Sequence, residues 1–410
     1  MEKQLFAKID SFTEYAAELQ SGLTAIPAVS PDSGGEGELA KTEYLEREIR
    51  KLKFDEFLRV DAPDPRAKGG VRPNLIARYR GQSSARTIWI MAHTDIVPPG
   101  ELSLWSGDPY TMRREGDKIT GRGVEDNQQA IVSAVVLARA MMELGLRPAC
   151  DLALLFNADE ETSSKYGVEY VLKTRPELFG KNDVFIVPDA GAPDSSLVEV
   201  AEKSILWLKI KTTGKQCHAS TPDAGINAFA AGSEMAFRLS SLYRKFNGKD
   251  KLFAPKCSTF EPTKKEANVP NVNTIPGDDV FYLDCRVLPE YDLDKVLAEI
   301  RRIADSVEKR RGVAISMETV QRSQAAPATP PDCEIAKLVV EGVKKVHGAK
   351  PRPTGIGGGT VAAPLRRLGF HVVVYSRLVE NAHMPDEYSL LSNLLGDAKV
   401  FAHAALHIQP

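Results

Sequence analysis

Between residues 73 and 200, short runs of β-branched and aliphatic residues alternate with helix-period patterns. That alternation leaves few architectures open, and an α/β sheet domain is the direct reading. Strands are expected at residues 75–79, 87–91, 152–157 and 184–187. A helix is expected at 128–144, where Ile131, Val135, Ala138 and Met142 share one apolar face. The ends of the apolar runs carry metal-ligand residue types: His93, Asp126, Glu161, Asp189 and His383. Open α/β sheets place their chemistry at strand ends, and two histidines with three carboxylates suit a pair of divalent ions.

The pattern changes near residue 201. A strand with one wet face (205–213), a helix (227–246), a strand (280–287), a helix with Leu293, Val296, Ile300, Ile303 and Val307 on one face, and a strand (313–319) make a separate α+β block. A Pro- and Ala-rich linker at 324–331 follows. The α/β style then returns with a helix at 333–346, a glycine-rich turn, a strand at 371–375 and a last helix from 387. One domain (201–325) is thus expected inside another (1–200 and 326–410). There is no internal repeat and no low-complexity segment.

Charge narrows the partners. The 53 basic and 55 acidic residues are intermixed, which gives no footprint for nucleic acid or an anionic membrane and points to small molecules or other subunits. The charged start Met1-Glu2-Lys3-Gln4 lacks the apolar run of a signal peptide, and no segment approaches a membrane span, so the expectation is a cytoplasmic protein. Five scattered cysteines (150, 217, 257, 285, 333) without a Cys-x-x-Cys fit buried small residues rather than disulfides or thiolate ligands.

Each motif has an ordinary reading beside the chemical one. His93-Thr94-Asp95 puts an imidazole and a carboxylate two residues apart, so Asp95 can brace His93, but His-x-Asp alone is a weak signal. Asp126 could be the N-cap of the helix that follows. Asp159-Glu160-Glu161 needs either a positive partner or a solvated loop. With metal present, one of the adjacent glutamates would ligate and the other serve as general base.

Taken in order, the motifs resemble the M20 family of metallopeptidases and deacylases over nearly the whole chain. The resemblance rests on His93-Thr94-Asp95, Trp105, Asp108-Pro109-Tyr110, Gly121-Arg122-Gly123 with Asp126, Asp159-Glu160-Glu161, Gly214 to Ala219 with Pro222, Gly225-Ile226-Asn227-Ala228, Asn273-Thr274-Ile275-Pro276-Gly277, and Asn381 to Glu387. It implies a mixed-sheet, zinc-peptidase-like catalytic domain with an inserted α+β lid that also pairs two subunits. His93 and Asp189 would bind one ion, Glu161 and His383 the other, and Asp126 both. Asp95 would brace His93, and Glu160 would be base and acid. His218 would reach the partner's site to polarise the substrate carbonyl, and Asn273 would touch substrate. Arg286, Gly358, Gly359 and Thr360 would receive a substrate carboxylate. A phosphate loop is the rival for that glycine run, but no Lys-Ser or Lys-Thr follows it.

Three features bear on substrate. Asn127-Gln128-Gln129 stands where many relatives carry a lysine followed by glycines. Asp189 stands where deacylases and carboxypeptidases of the family usually have Glu, and aminopeptidases and dipeptidases Asp. The chain's overall style resembles the acetylornithine deacetylase and succinyl-diaminopimelate desuccinylase group. The expectation is a hydrolase that removes an acetyl- or succinyl-type group from an N-acyl amino acid by metal-activated water, with two ions, zinc or else cobalt or manganese. The alternatives are a small-peptide aminopeptidase, dipeptidase or carboxypeptidase, and a catalytically silent binding protein.

Overall fold

The computed structural model describes residues 1–410. The chain divides into two compact units, Met1–Val200 with Ala328–Thr354 and Thr360–Pro410, and Ala201–Pro327 with Gly355–Gly359. The loop Gly355–Gly359, placed by the sequence with the outer segments, therefore groups with the second unit.

The large sheet has eight strands in the order Glu56–Pro63, Val71–Tyr79, Cys150–Asn157, Ser83–His93, Val184–Gly191, His371–Ser376, Leu197–Glu202, Arg352–Ile356. Its centre is parallel: Cys150–Asn157, Ser83–His93, Val184–Gly191 and His371–Ser376 run together, flanked by antiparallel neighbours. Such central strands are covered on both faces, which is why they read as continuous apolar runs. All eight residues of Cys150–Asn157 are buried. His93 pairs with Asn157 in register, so the carboxyl ends of these strands finish level with one another.

The helix Gln128–Glu143 is buried nearly all round, from Gln128 to Ala138 and again at Ala140 and Met141, while Met142 is partly exposed. A single apolar face understates it, because a helix packed on several sides is apolar on several sides. Asn127, not Asp126, is its N-cap residue.

The second unit has a four-stranded antiparallel sheet, Thr259–Lys265, Asp278–Val287, Ser204–Thr213 and Ala314–Ser323 in that order, with the helices Ala228–Leu239 and Leu293–Arg311. Leu206, Leu208 and Ile210 meet Phe281, Leu283, Met235, Leu239, Val296, Ile300 and Ile303 in one core. The helix expected at 227–246 is two, Ala228–Leu239 and Leu242–Lys245, broken at Ser240 and Ser241. The Ser240 hydroxyl bonds back to the Phe237 carbonyl, a local bond that competes with helix continuation. The final helix begins at Leu391, after a short strand Tyr388–Leu390 that pairs with Lys118–Thr120. All five cysteines are free; Cys150 and Cys285 are buried, whereas Cys217, Cys257 and Cys333 are partly exposed and do not fit the small-core reading. No helix is long and apolar enough to cross a membrane.

Candidate metal centre

Five donor side chains converge in the first unit. His93 ends its strand fully shielded, and its Nε2 lies 2.9 Å from Asp126 Oδ1 and 3.4 Å from Asp189 Oδ1. His383 Nε2 lies 3.1 Å from Asp126 Oδ2 and 3.2 Å from Glu161 Oε2. Asp126 thus turns one oxygen to each histidine, and the donors form two triads, His93/Asp126/Asp189 and Asp126/Glu161/His383. His383 holds φ at 66°, a left-handed conformation uncommon outside glycine. Glu160 belongs to neither triad; its Oε2 is 4.0 Å from His93 Nε2.

The acidic loop is neither solvated nor left repelling itself. Asp159 turns away from the triads and faces Arg72 Nη1 at 3.4 Å. Its carboxylate also accepts from Thr162, from the Ser163 hydroxyl (2.9 Å) and from Tyr166 N–H (3.0 Å). Arg72 forms a fully buried double hydrogen bond with Glu38. Asp95 holds the rest: its oxygens accept from the backbone N–H of Glu160 (3.1 Å) and Glu161 (2.9 Å). His93 Nδ1 is nearer the Asp95 carbonyl (3.1 Å) than its carboxylate (3.4 Å). Asp95 therefore positions the two glutamates at least as directly as it braces His93.

Other residues hold the site to which the sequence assigns no role. Asn127 donates from Nδ2 to Asp189 Oδ1 at 3.0 Å and to the Pro188 carbonyl, while its oxygen receives the His93 N–H. Glu387 accepts from the N–H groups of Gly123, Glu125 and Asp126 and pairs with Arg122 at 2.6 Å; Arg122 also donates to the His383 carbonyl. Gly123, at φ 88°, supplies the turn that lets these N–H groups point at one carboxylate. Glu125 accepts from the Val379 and Asn381 N–H groups and so ties in the segment that carries His383.

Carboxylates and imidazoles so close together shift one another's ionisation. Burial lowers the His93 imidazole, but its bonds to Asp126, Asp189 and Asp95 more than offset this, and it stands well above its ordinary value. Hydrogen bonds to Asp126 and Glu161 raise His383 to about 10 against a smaller opposing effect of burial. Burial raises Asp126, but His383 and His93 outweigh it and hold the carboxyl well below the usual range. Glu160 is raised well above its ordinary value by burial and then by the Asp189 charge. Glu161 is also raised, chiefly by burial, and its Oε1 is buried without a partner. The donors are imidazole nitrogen and carboxylate oxygen with no thiolate, a set that fits zinc, cobalt or manganese.

The remaining predicted residues, Thr360 apart, belong to the second unit. His218 is exposed on Cys217–His218, which pairs with Thr274–Ile275, and the Asn273 carbonyl accepts from Ala219 N–H at 2.9 Å, so His218 and Asn273 are neighbours. Ser220 donates to His218 Nδ1 through its N–H at 3.1 Å. Arg286 pairs with Asp284 at 2.8 Å and donates to the Gly357 carbonyl at 2.8 Å. Gly358 and Gly359 belong to the second unit and Thr360 to the first, where its hydroxyl accepts from the Ala362 N–H.

Comparison with known proteins places the chain in a family. An uncharacterised metallohydrolase of Methanococcus maripaludis is 36% identical, the match spanning 95% of this chain and 98% of that one. A succinyl-diaminopimelate desuccinylase of Dinoroseobacter shibae is 27% identical over 90% of this chain and 92% of its own. Among solved structures, aminopeptidase PepT of Bacillus cereus superposes with a TM-score of 0.75 at 15% identity, covering 96% of this chain and 98% of that one. Human carnosine dipeptidase 1 does so with 0.73 at 16% identity, covering 99% and 98%. The model of peptidase family M20/M25/M40 matches residues 89–407, and the chain belongs to that family of metal-dependent hydrolases.

Proposed function

We propose that this hydrolase cleaves the linear amide bond of a small N-acyl amino acid, releasing an acetyl- or succinyl-type acid. Its two divalent ions would be held by His93, Asp126 and Asp189 and by Asp126, Glu161 and His383. The observation that carries the reading is the two-sided use of Asp126, each oxygen facing a different histidine and carboxylate, with Glu160 beside both triads and in neither. Zinc is our reading of the metal, with cobalt or manganese accepted by the same donors. When bound, the ions supply polarisation of the amide carbonyl and a lower pKa for water.

The chain's own groups do the rest. Glu160 takes a proton from the attacking water and passes it to the leaving nitrogen as the carbon–nitrogen bond breaks. Asp95 fixes Glu160 through its backbone N–H, and Asn127 fixes Asp189. His218 and Asn273 would face the substrate of a second copy of the chain in a homodimer, His218 stabilising the developing oxyanion. Arg286, already oriented by Asp284, would meet a substrate carboxylate with Gly358, Gly359 and Thr360. The free, scattered cysteines suit a reducing compartment, and we place the protein in the cytoplasm.

The sequence relationship to desuccinylases supports the acyl substrate. Asp189 as a carboxylate of the first triad favours a second reading, hydrolysis of small peptides. One panel decides between them: N-acetyl amino acids, N-succinyl amino acids and unblocked dipeptides, given to zinc-loaded and chelator-stripped protein. Cleavage of blocked amino acids alone, lost on stripping, is the expected result. Preference for dipeptides would move the protein to the peptidase reading, and equal activity in stripped protein would overturn the metal requirement.

A further inference from the structure

Away from the hydrolytic centre, the first and last helices bring a second donor cluster together. Glu2 opens the helix Glu2–Asp10, and His403 and His407 stand four residues apart, on one face of the helix Leu391–His407. Glu2 Oε1 is 2.7 Å from His403 Nδ1 and 3.7 Å from His407 Nε2, and the three donor atoms lie within 4.8 Å of one another. A tetrahedral ion with ligand bonds near 2.0–2.2 Å separates its donors by about 3.3 Å, a spacing these two distances bracket.

The surroundings of each donor suit ligation. Lys345 Nζ holds the other Glu2 oxygen at 2.5 Å, which fixes the carboxylate and leaves Oε1 directed at the histidines. His403 is buried, with 7% of its side chain exposed, and its Nε2 has no hydrogen-bond partner. The nearest charge to that nitrogen is Glu341 Oε2 at 3.8 Å. A histidine that ligates through one nitrogen commonly gives its other N–H to a carboxylate, and Glu341 is placed to receive it. The His407 ring lies 4.6 Å from that of His403, centroid to centroid, and is half-exposed, which leaves an open side for a solvent ligand.

We propose that Glu2, His403 and His407 form a separate mononuclear transition-metal site that staples the start of the chain to its last helix. Two imidazoles and one carboxylate select zinc, cobalt, nickel or copper over magnesium or calcium. The ion would act on stability and not on hydrolysis, since ligands from two helices 401 residues apart in sequence bind only the folded form.

The test is equilibrium dialysis of the full chain against micromolar free zinc, counting ions per chain in the parent, His407→Ala and Glu2→Gln, with thermal unfolding of each with and without zinc. Each variant is expected to hold one ion fewer than the parent, and to show a smaller zinc-induced rise in melting temperature. Equal ion counts and equal zinc-induced shifts would overturn the site. The quantity read is a difference, so an error in the reading of the hydrolytic centre changes the parent's count and leaves the difference intact. His407 is half-exposed and tolerates truncation; Glu2→Gln removes the charge at nearly constant shape.

Discussion

The two units of this chain are built on opposite terms. The second buries an aliphatic and aromatic core and leaves most of its ion pairs at the surface, as with Arg301 and Asp305 or Arg322 and Asp294. The first buries Glu38, Lys41, Asp64, Arg72, Asp95, Arg122, Glu125, Asp159 and Glu387, each with 2% or less of its surface exposed. Buried charges rarely repay their desolvation in stability, so their presence in such number, most of them paired through Arg72 and Arg122 or held by backbone N–H groups, marks a place where geometry outweighs stability. In the first unit these charged groups hold the loops that carry Asp126, Glu161 and His383. The second unit is a scaffold that substitution weakens in proportion to lost volume. The first is an electrostatic assembly, in which removing a single partner strands a charge.

The largest contrast is expected at Glu160. Glu160→Gln should lower turnover by about 10²–10⁴-fold while bound metal, measured by atomic absorption, stays at the parent's level. Metal lost together with activity would make Glu160 a ligand, and retained turnover would remove it as the base. Next comes Arg122→Met, which leaves Glu387 buried without its cation. Breaking such a pair costs about 3–5 kcal/mol, and because Glu387 also gathers the N–H groups of Gly123, Glu125 and Asp126, metal affinity should fall with stability. Leu283→Ala in the second unit should cost about 2–5 kcal/mol by denaturant titration, with metal content unchanged. A loss of metal in Leu283→Ala as large as in Arg122→Met would dissolve the distinction between the units.

That distinction also decides what could be read in advance. In the second unit hydrophobic period makes the strands Ser204–Thr213, Asp278–Val287 and Ala314–Ser323 and the Leu293–Arg311 helix legible, but not the strand Thr259–Lys265, which has one buried residue and so no apolar period to read. Of the five donors of the first unit, His93 and Asp189 are legible because each follows an apolar run, and Asp126, Glu161 and His383 because each stands in a short polar motif. Their supports are not. Arg72 pairs with Glu38 across 34 residues and Arg122 with Glu387 across 265, and no local pattern announces a partner at that distance. Asn127 follows Asp126 directly, yet its part in orienting Asp189 appears only when the strand Val184–Gly191 lies beside it. The short strand Tyr388–Leu390 reads as the start of a helix because its partner, Lys118–Thr120, lies far upstream. Local signals give elements and donors; long-range ionic pairing is invisible to them.

The smallest expected effect concerns acid sensitivity, which should belong to the first unit. His347 ends the helix Glu334–His347, its Nδ1 receiving Arg377 Nη1–H at 3.1 Å, and burial, then Arg377 and Lys399, pull it down to about 4. Unfolded, the ring would titrate near 6.5. Between about pH 6.5 and 4 the unfolded chain therefore binds the extra proton and the folded chain does not, so this group's contribution is full above pH 6.5 and is lost as pH falls. In His347→Gln the other titrating groups remain, but this share of the slope disappears. Urea titrations at pH 7.5, 5.5 and 4.5 should show a shallower fall in stability for His347→Gln than for the parent across that window, and identical slopes above it. Equal slopes throughout would mean that the folded chain accepts the proton on His347 despite Arg377. The acid sensitivity of the first unit would then rest on its carboxylates alone.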